Sequence, residues 1–250
     1  MKKLVFKQSL IVSLLLFTYS SCAPEKFNSQ EVTDDSKEAS AKVIYGSDGR
    51  LDLYQVSDER LKKLADSTVA LFEAKDVRTN GNISLLTGQN YGSAYNLCSS
   101  ESFREQSSAA FCSGSLVGED TIITAGHCIE SQTDCSNTRF VFGFAVRSAS
   151  ILPSQVSSDE VYKCATIIKQ VLTSGGADYA VIKLDRKVTN HTPLQIRRSG
   201  EVSVGEDLVV IGHPAGLPTK ITTGGKVRSV ASNTHLVASV DTYGGNSGSA

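Results

Sequence analysis

The chain has 250 residues, 40% of them hydrophobic and 20% charged, with a formal net charge of -1. That length and apolar content suit one sizeable domain or two fused barrels and exclude a disordered protein. The near-neutral balance supplies neither a basic stripe for nucleic acid nor an acidic tail, so charge alone names no partner.

In chain order, Met1-Lys2-Lys3 and the apolar run 10–17 read as the basic and hydrophobic regions of a secretory signal spanning residues 1–22. The run is short for a spanning helix. Tyr19-Ser20-Ser21-Cys22 is similar to a relaxed bacterial lipobox with Cys22 as the lipidated residue, while ordinary cleavage near Ala23 fits the same small residues. Residues 23–42 are polar and charged, a linker or pro-segment without core-forming side chains. Val43 opens a different style of sequence and a domain over 43–250. Processing after Lys42 and an unprocessed chain in which Val43 starts a strand both fit.

From there, short apolar or alternating segments separated by Gly, Asn, Asp and Ser clusters predict an all-β domain with many turns. Strands are expected at 69–72, 109–117, 120–124, 139–146, 165–172, 179–184, 207–212, 225–230 and 236–240, with a brief helix over 59–64. The six cysteines of an exported chain are expected to be bonded. No His/Cys cluster has metal-ligand spacing, so no metal is expected.

Three strings carry chemistry: Thr124-Ala125-Gly126-His127-Cys128, Asp178-Tyr179-Ala180-Val181-Ile182-Lys183-Leu184, and Gly245-Asn246-Ser247-Gly248-Ser249. A serine hydroxyl needs a base to take its proton, and the base needs a carboxylate to set its tautomer. Each residue alone has a structural role open to it: a core histidine, a turn-capping aspartate, a loop serine. The order His, Asp, Ser is that of chymotrypsin-like double barrels and differs from the subtilisin and α/β-hydrolase orders. From about Val43 to the last residue the chain resembles trypsin-like serine endopeptidases, and within them the bacterial glutamyl-endopeptidase (V8-like) branch.

The resemblance implies two antiparallel six-stranded β-barrels with the site between them, the second barrel lacking C-terminal strands because relatives continue well beyond the nucleophile. It implies a serine endopeptidase with His127 as general base, Asp178 orienting it and Ser247 as nucleophile. The N–H groups of Gly245 and Ser247 would form the oxyanion hole, at a turn that glycine permits. It also implies a Cys112–Cys128 disulfide beside the base. Cys135–Cys164 is then the second pair, leaving Cys98 alone. Asp241, Thr242 and Tyr243 would line the specificity pocket. Asp241 stands where a basic side chain would be bound and Thr242 where a hydroxyl would meet an acidic one, and the string 241–249 as a whole leans toward acidic residues before the cleaved bond.

Asn246 replaces the aspartate with which digestive relatives bury a freed N-terminus, so processing near Val43 is not expected to work through that ion pair. His191, His213 and His235 read as structural or surface residues. No cofactor is expected. Partners would be protein or peptide substrates, with no nucleic acid and with membrane contact only through Cys22. The protein is expected to be a monomer, exported by a bacterium as a secreted, periplasmic or outer-membrane lipoprotein. The competing function is a non-catalytic protease-like binding module or an inactive truncated product.

Overall fold

The computed structural model describes residue 44 and residues 47–232 and 235–250. The signal, Cys22 and the Lys42–Val43 boundary lie outside the described residues. The chain divides into units Met1–Lys37 and Glu38–Ala250, and every described element belongs to the second.

Its strands are β1 (Arg50–Asp52), β2 (Thr68–Glu73), β3 (Val77–Asn80), β4 (Ile83–Leu86), β5 (Gln89–Asn90), β6 (Ser107–Ser108), β7 (Cys112–Gly118), β8 (Thr121–Thr124), β9 (Thr138–Val141), β10 (Gln155–Ser157), β11 (Val161–Leu172), β12 (Asp178–Leu184), β13 (Asp207–Gly212), β14 (Lys220–Ser232) and β15 (His235–Ser239). The α-helices are α1 (Glu59–Ala65), α2 (Tyr91–Ala94) and α3 (Gln132–Asn137). Asp58 caps α1 by accepting from the Arg60 N–H, and Ser131 with Asp134 forms a capping box on α3.

A closed barrel runs β11-β12-β8-β7-β2-β9. Alternation explains its interior: Val69 and Leu71 of β2, Ile122 of β8, Phe140 of β9, and Ala180, Ile182 and Leu184 of β12 share one core with Phe142 and Tyr162. Strand β2 is buried on both faces, because Ala70 and Phe72 point the other way into a second cluster with Leu86, Val141 and Phe144. The small sheet β10-β4-β3 covers that side.

The expected strand 139–146 ends at Val141. Gly143 takes a left-handed φ of 73°, so the chain leaves the ladder while Phe142 and Phe144 remain buried. The second sheet has, among the described residues, four strands, β1-β14-β13 with β15 also on β14, and it does not close. Strand β1, from the start of the described chain, is one of them. Val209, Val230, Leu236 and Val237 of this sheet are exposed.

Two disulfides staple the barrel wall, Cys112–Cys128 and Cys135–Cys164. Cys98 is itself disulfide-bonded, which corrects the expectation that it stands alone.

Candidate active site

His127 lies in a short turn, Gly126–Cys128, directly after β8, and Asp178 is the first residue of β12. Pairing of β8 with β12 carries them together: Thr124 lies opposite Ala180, so the turn that follows β8 meets the first residue of β12 at the barrel rim. The Asp178 carboxylate takes two bonds from His127. Oδ2 accepts from Nδ1–H at 2.7 Å and Oδ1 from the backbone N–H at 3.0 Å. An ionised carboxylate can only accept, so Nδ1 is the ring nitrogen that donates to Asp178. Partial burial pushes the Asp178 carboxyl up, but the His127 side-chain and backbone bonds outweigh it and hold the group below its ordinary value.

Two close approaches make this corner possible. A Cβ on Gly126 would sit 2.2 Å from the Val171 carbonyl oxygen and 3.1 Å from Asp178 Oδ1. The Gly126 carbonyl accepts from Gln170 Nε2 at 3.1 Å, so β11 clamps the turn from outside.

Ser247 arrives from the other sheet, in the turn after β15. Its carbonyl accepts from the Ser113 N–H at 2.8 Å and lies 3.9 Å from Cys128 Sγ, placing the 245–249 string beside the residue that follows His127. A Cβ on Gly248 (φ 84°) would lie 2.2 Å from the Ser113 carbonyl oxygen and 2.4 Å from Thr124 Oγ1. Only a glycine lets the turn press this close to β7 and β8.

Backbone carbonyls of the turn are each held. Gly244 O accepts from the Ala215 N–H at 2.6 Å, Gly245 O from Ser113 Oγ at 3.1 Å, and Asn246 O from the Ser249 N–H at 2.9 Å. Because a peptide is planar, fixing the carbonyls of 244 and 246 fixes the N–H directions of Gly245 and Ser247. Gly245 has φ 89°, a left-handed conformation that glycine adopts without strain.

Of the expected pocket residues, Asp241 is buried and its Oδ2 accepts the Gly49 N–H at 2.8 Å. Thr242 Oγ1 accepts from Asn246 Nδ2 at 2.7 Å, and Asn246 Oδ1 accepts from Ser249 Oγ at 2.7 Å, so the neutral amide is satisfied inside its own loop. The Tyr243 ring carries the Arg50 guanidinium 4.5 Å from its centroid. Gly49 and Arg50, near the start of the described chain, thus contact Asp241 and Tyr243, which no local pattern announces. A cavity of about 300 Å³ flanks His127, lined by Glu73, Phe111, Glu130 and Asp134 among others. The sulfurs of Cys112 and Cys128 lie within 4.8 Å of a His127 ring nitrogen, but their disulfide leaves no thiolate for a metal.

The other histidines sit elsewhere. His213 is fully buried, donates Nδ1–H to the Leu217 carbonyl at 3.0 Å and stacks on Phe144. His191 stacks on Phe142 between Asp66 and Glu160.

A model of the trypsin-like peptidase domain matches residues 112–250, more than half of the sequence. The chain belongs to the trypsin-like peptidase family. It is 31% identical over 157 residues to secreted RxLR effector protein 73 of Plasmopara viticola, covering 58% of this chain and 39% of that protein. It is 31% identical over 132 residues to snake venom serine protease 2 of Protobothrops jerdonii, covering 46% of this chain and 43% of that one. It therefore spans well under half the length of either relative. A solved structure described as Glu endopeptidase in complex with MPD is similar at 22% identity and a TM-score of 0.48, over 84% of this chain and 81% of that one.

Sequence reasoning found the three strings and missed Ser113, Gln170 and the Gly49–Asp241 contact. Ser113 stands one position after Cys112 in β7, and nothing in the sequence marks the bonds that its buried hydroxyl makes.

Proposed function

We propose that this peptidase-family protein is an exported serine endopeptidase that works through an acyl-enzyme. The observation that carries the reading is the two-point grip of Asp178 on His127, with the Ser247 turn bonded against the neighbouring strand. Ser247 Oγ attacks the scissile carbonyl as His127 Nε2 takes its proton. Oxygen charge develops against the N–H groups of Gly245 and Ser247. His127 returns the proton to the leaving amine, and water then cleaves the acyl-enzyme by the same relay. Two barrels of the chymotrypsin type in the whole protein would place this chemistry in their cleft.

For the residue before the cleaved bond, the reading is an acidic side chain. Asp241 is buried and already accepts a backbone bond from Gly49, which weakens it as a partner for lysine or arginine. Thr242 uses its oxygen as an acceptor and keeps its own O–H to donate to a carboxylate. The disulfides and the secreted or venom names of the relatives support export.

A fluorophosphonate probe followed by peptide mapping tests the chemistry. Wild type is expected to be labelled at Ser247, and S247A to lose label and at least about 10⁴-fold in kcat. A folded wild-type protein that never labels would leave the binding-module reading in its place. Cleavage of a peptide library after lysine or arginine would overturn the acidic preference.

A further inference from the structure

The structure assigns to Ser113 a role in positioning the oxyanion turn, an inference that rests on the serine peptidase reading above. Ser113 lies in β7, opposite Ala70 of β2, and is fully buried. It belongs to the barrel wall, yet three of its polar groups are spent on the turn and its supports. Its N–H donates to Ser247 O at 2.8 Å, and its Oγ–H donates to Gly245 O at 3.1 Å. The same Oγ accepts the His213 N–H at 2.9 Å. Its carbonyl accepts from Thr124 Oγ1 at 2.7 Å, three residues before His127.

One side chain therefore joins the barrel, the loop after β13 and the turn that would carry nucleophile and oxyanion donors. The other held carbonyls, Gly244 O and Asn246 O, are bonded by the loop after β13 or by the turn itself. Ser113 is what references the turn to the barrel, where His127 and Asp178 sit. The Gly245 carbonyl belongs to the 245–246 peptide, which links the two peptides that carry the Gly245 and Ser247 N–H groups, so holding it limits how far those donors can turn relative to each other. An oxyanion hole lowers the barrier because its donors need no reorganisation as charge develops, so freeing that linking peptide would cost rate without weakening ground-state binding.

The test uses two matched pairs, Ser113 against Ser113→Ala and Ser113→Thr against Ser113→Val, the second pair isosteric apart from the hydroxyl. Wild type is first labelled at Ser247 with the fluorophosphonate, and failure there sinks the peptidase reading itself. With labelling established, Ala and Val variants are expected to lose about tenfold to a hundredfold in kcat with KM within about twofold, less than the loss from deleting an oxyanion donor outright. A peptide boronate is expected to bind them more weakly by the same factor, and Thr to recover most of both. Hydroxyl-free variants that keep wild-type kcat and boronate affinity overturn the proposal. So does a fall in KM and kcat together that Thr does not rescue, or hydroxyl-free chains that do not fold at all, either of which assigns Ser113 to folding.

Discussion

Asp178 is the residue on which the proposed chemistry turns most sharply, because it both orients the His127 ring and fixes which nitrogen carries the proton. Replacing it with asparagine keeps the shape but offers an N–H where an acceptor stood, favouring the wrong tautomer. D178N is expected to fold normally, with a thermal midpoint close to wild type, and to lose about 10⁴-fold in kcat on a chromogenic peptide. A loss below tenfold would remove Asp178 from the mechanism. This residue was legible in sequence because an acidic residue opening an apolar strand, between a TAGHC string and a GNSGS string, fits little besides a triad. Ser113 was not legible in that way, since a serine inside a strand carries no mark of the bonds it will make to residues more than a hundred positions away.

Turn and strand geometry set the corner in which these residues meet. Gly126 touches β11 so closely that any Cβ must displace the Val171 carbonyl or the Asp178 carboxylate. Gly126→Ala is expected to cost about 1–3 kcal/mol of stability, as overpacking does, and to lower kcat by moving Asp178. Paired thermal melts and kinetics check it, and a variant unchanged in both would show that β11 yields at no cost. At this scale the strands of the barrel were readable from alternation, as at β2, β8 and β12. The expected strand 139–146 overran because Phe142 and Phe144 look like strand residues, while the left-handed Gly143 between them takes the chain out of the ladder. Strands β3, β4 and β10 were missed because they form an outer layer with little apolar alternation, at 77–80 reading Val-Arg-Thr-Asn.

Across the whole molecule, His191 and His213 shape stability against pH. Burial alone would lower the pKa of His191, but bonds to Asp66 and Glu160 raise it to about 9. A group bound more tightly to its proton when folded stabilises fully below the free-histidine value near 6.5 and loses that contribution as pH rises through about 9. Burial lowers His213 to about 4 against the Leu217 bond, helped by Lys220, so its contribution is present above about 6.5 and disappears as pH falls toward 4. Lys220, lowered by burial to about 8 against Asp52, opposes the alkaline loss only above that pH. Stability is therefore expected to peak near pH 6.5, and denaturant melts of H191Q should flatten the alkaline limb and also remove the part of the acid limb that comes from Asp66, whose carboxyl the His191 bond holds below its ordinary value. An unchanged alkaline limb would refute the ion-pair account. The sequence by itself determined the all-β class, the barrel strands and the three strings, because alternation, turn residues and short motifs are local and survive in one dimension. Only the tertiary structure decided which sheet β1 joins, that Gly49 caps the Asp241 carboxylate, that Cys98 is bonded, and that Ser113 spans barrel and turn. Those contacts join residues distant in the chain, and their energies depend on burial and bond direction, which have no value until the strands have packed.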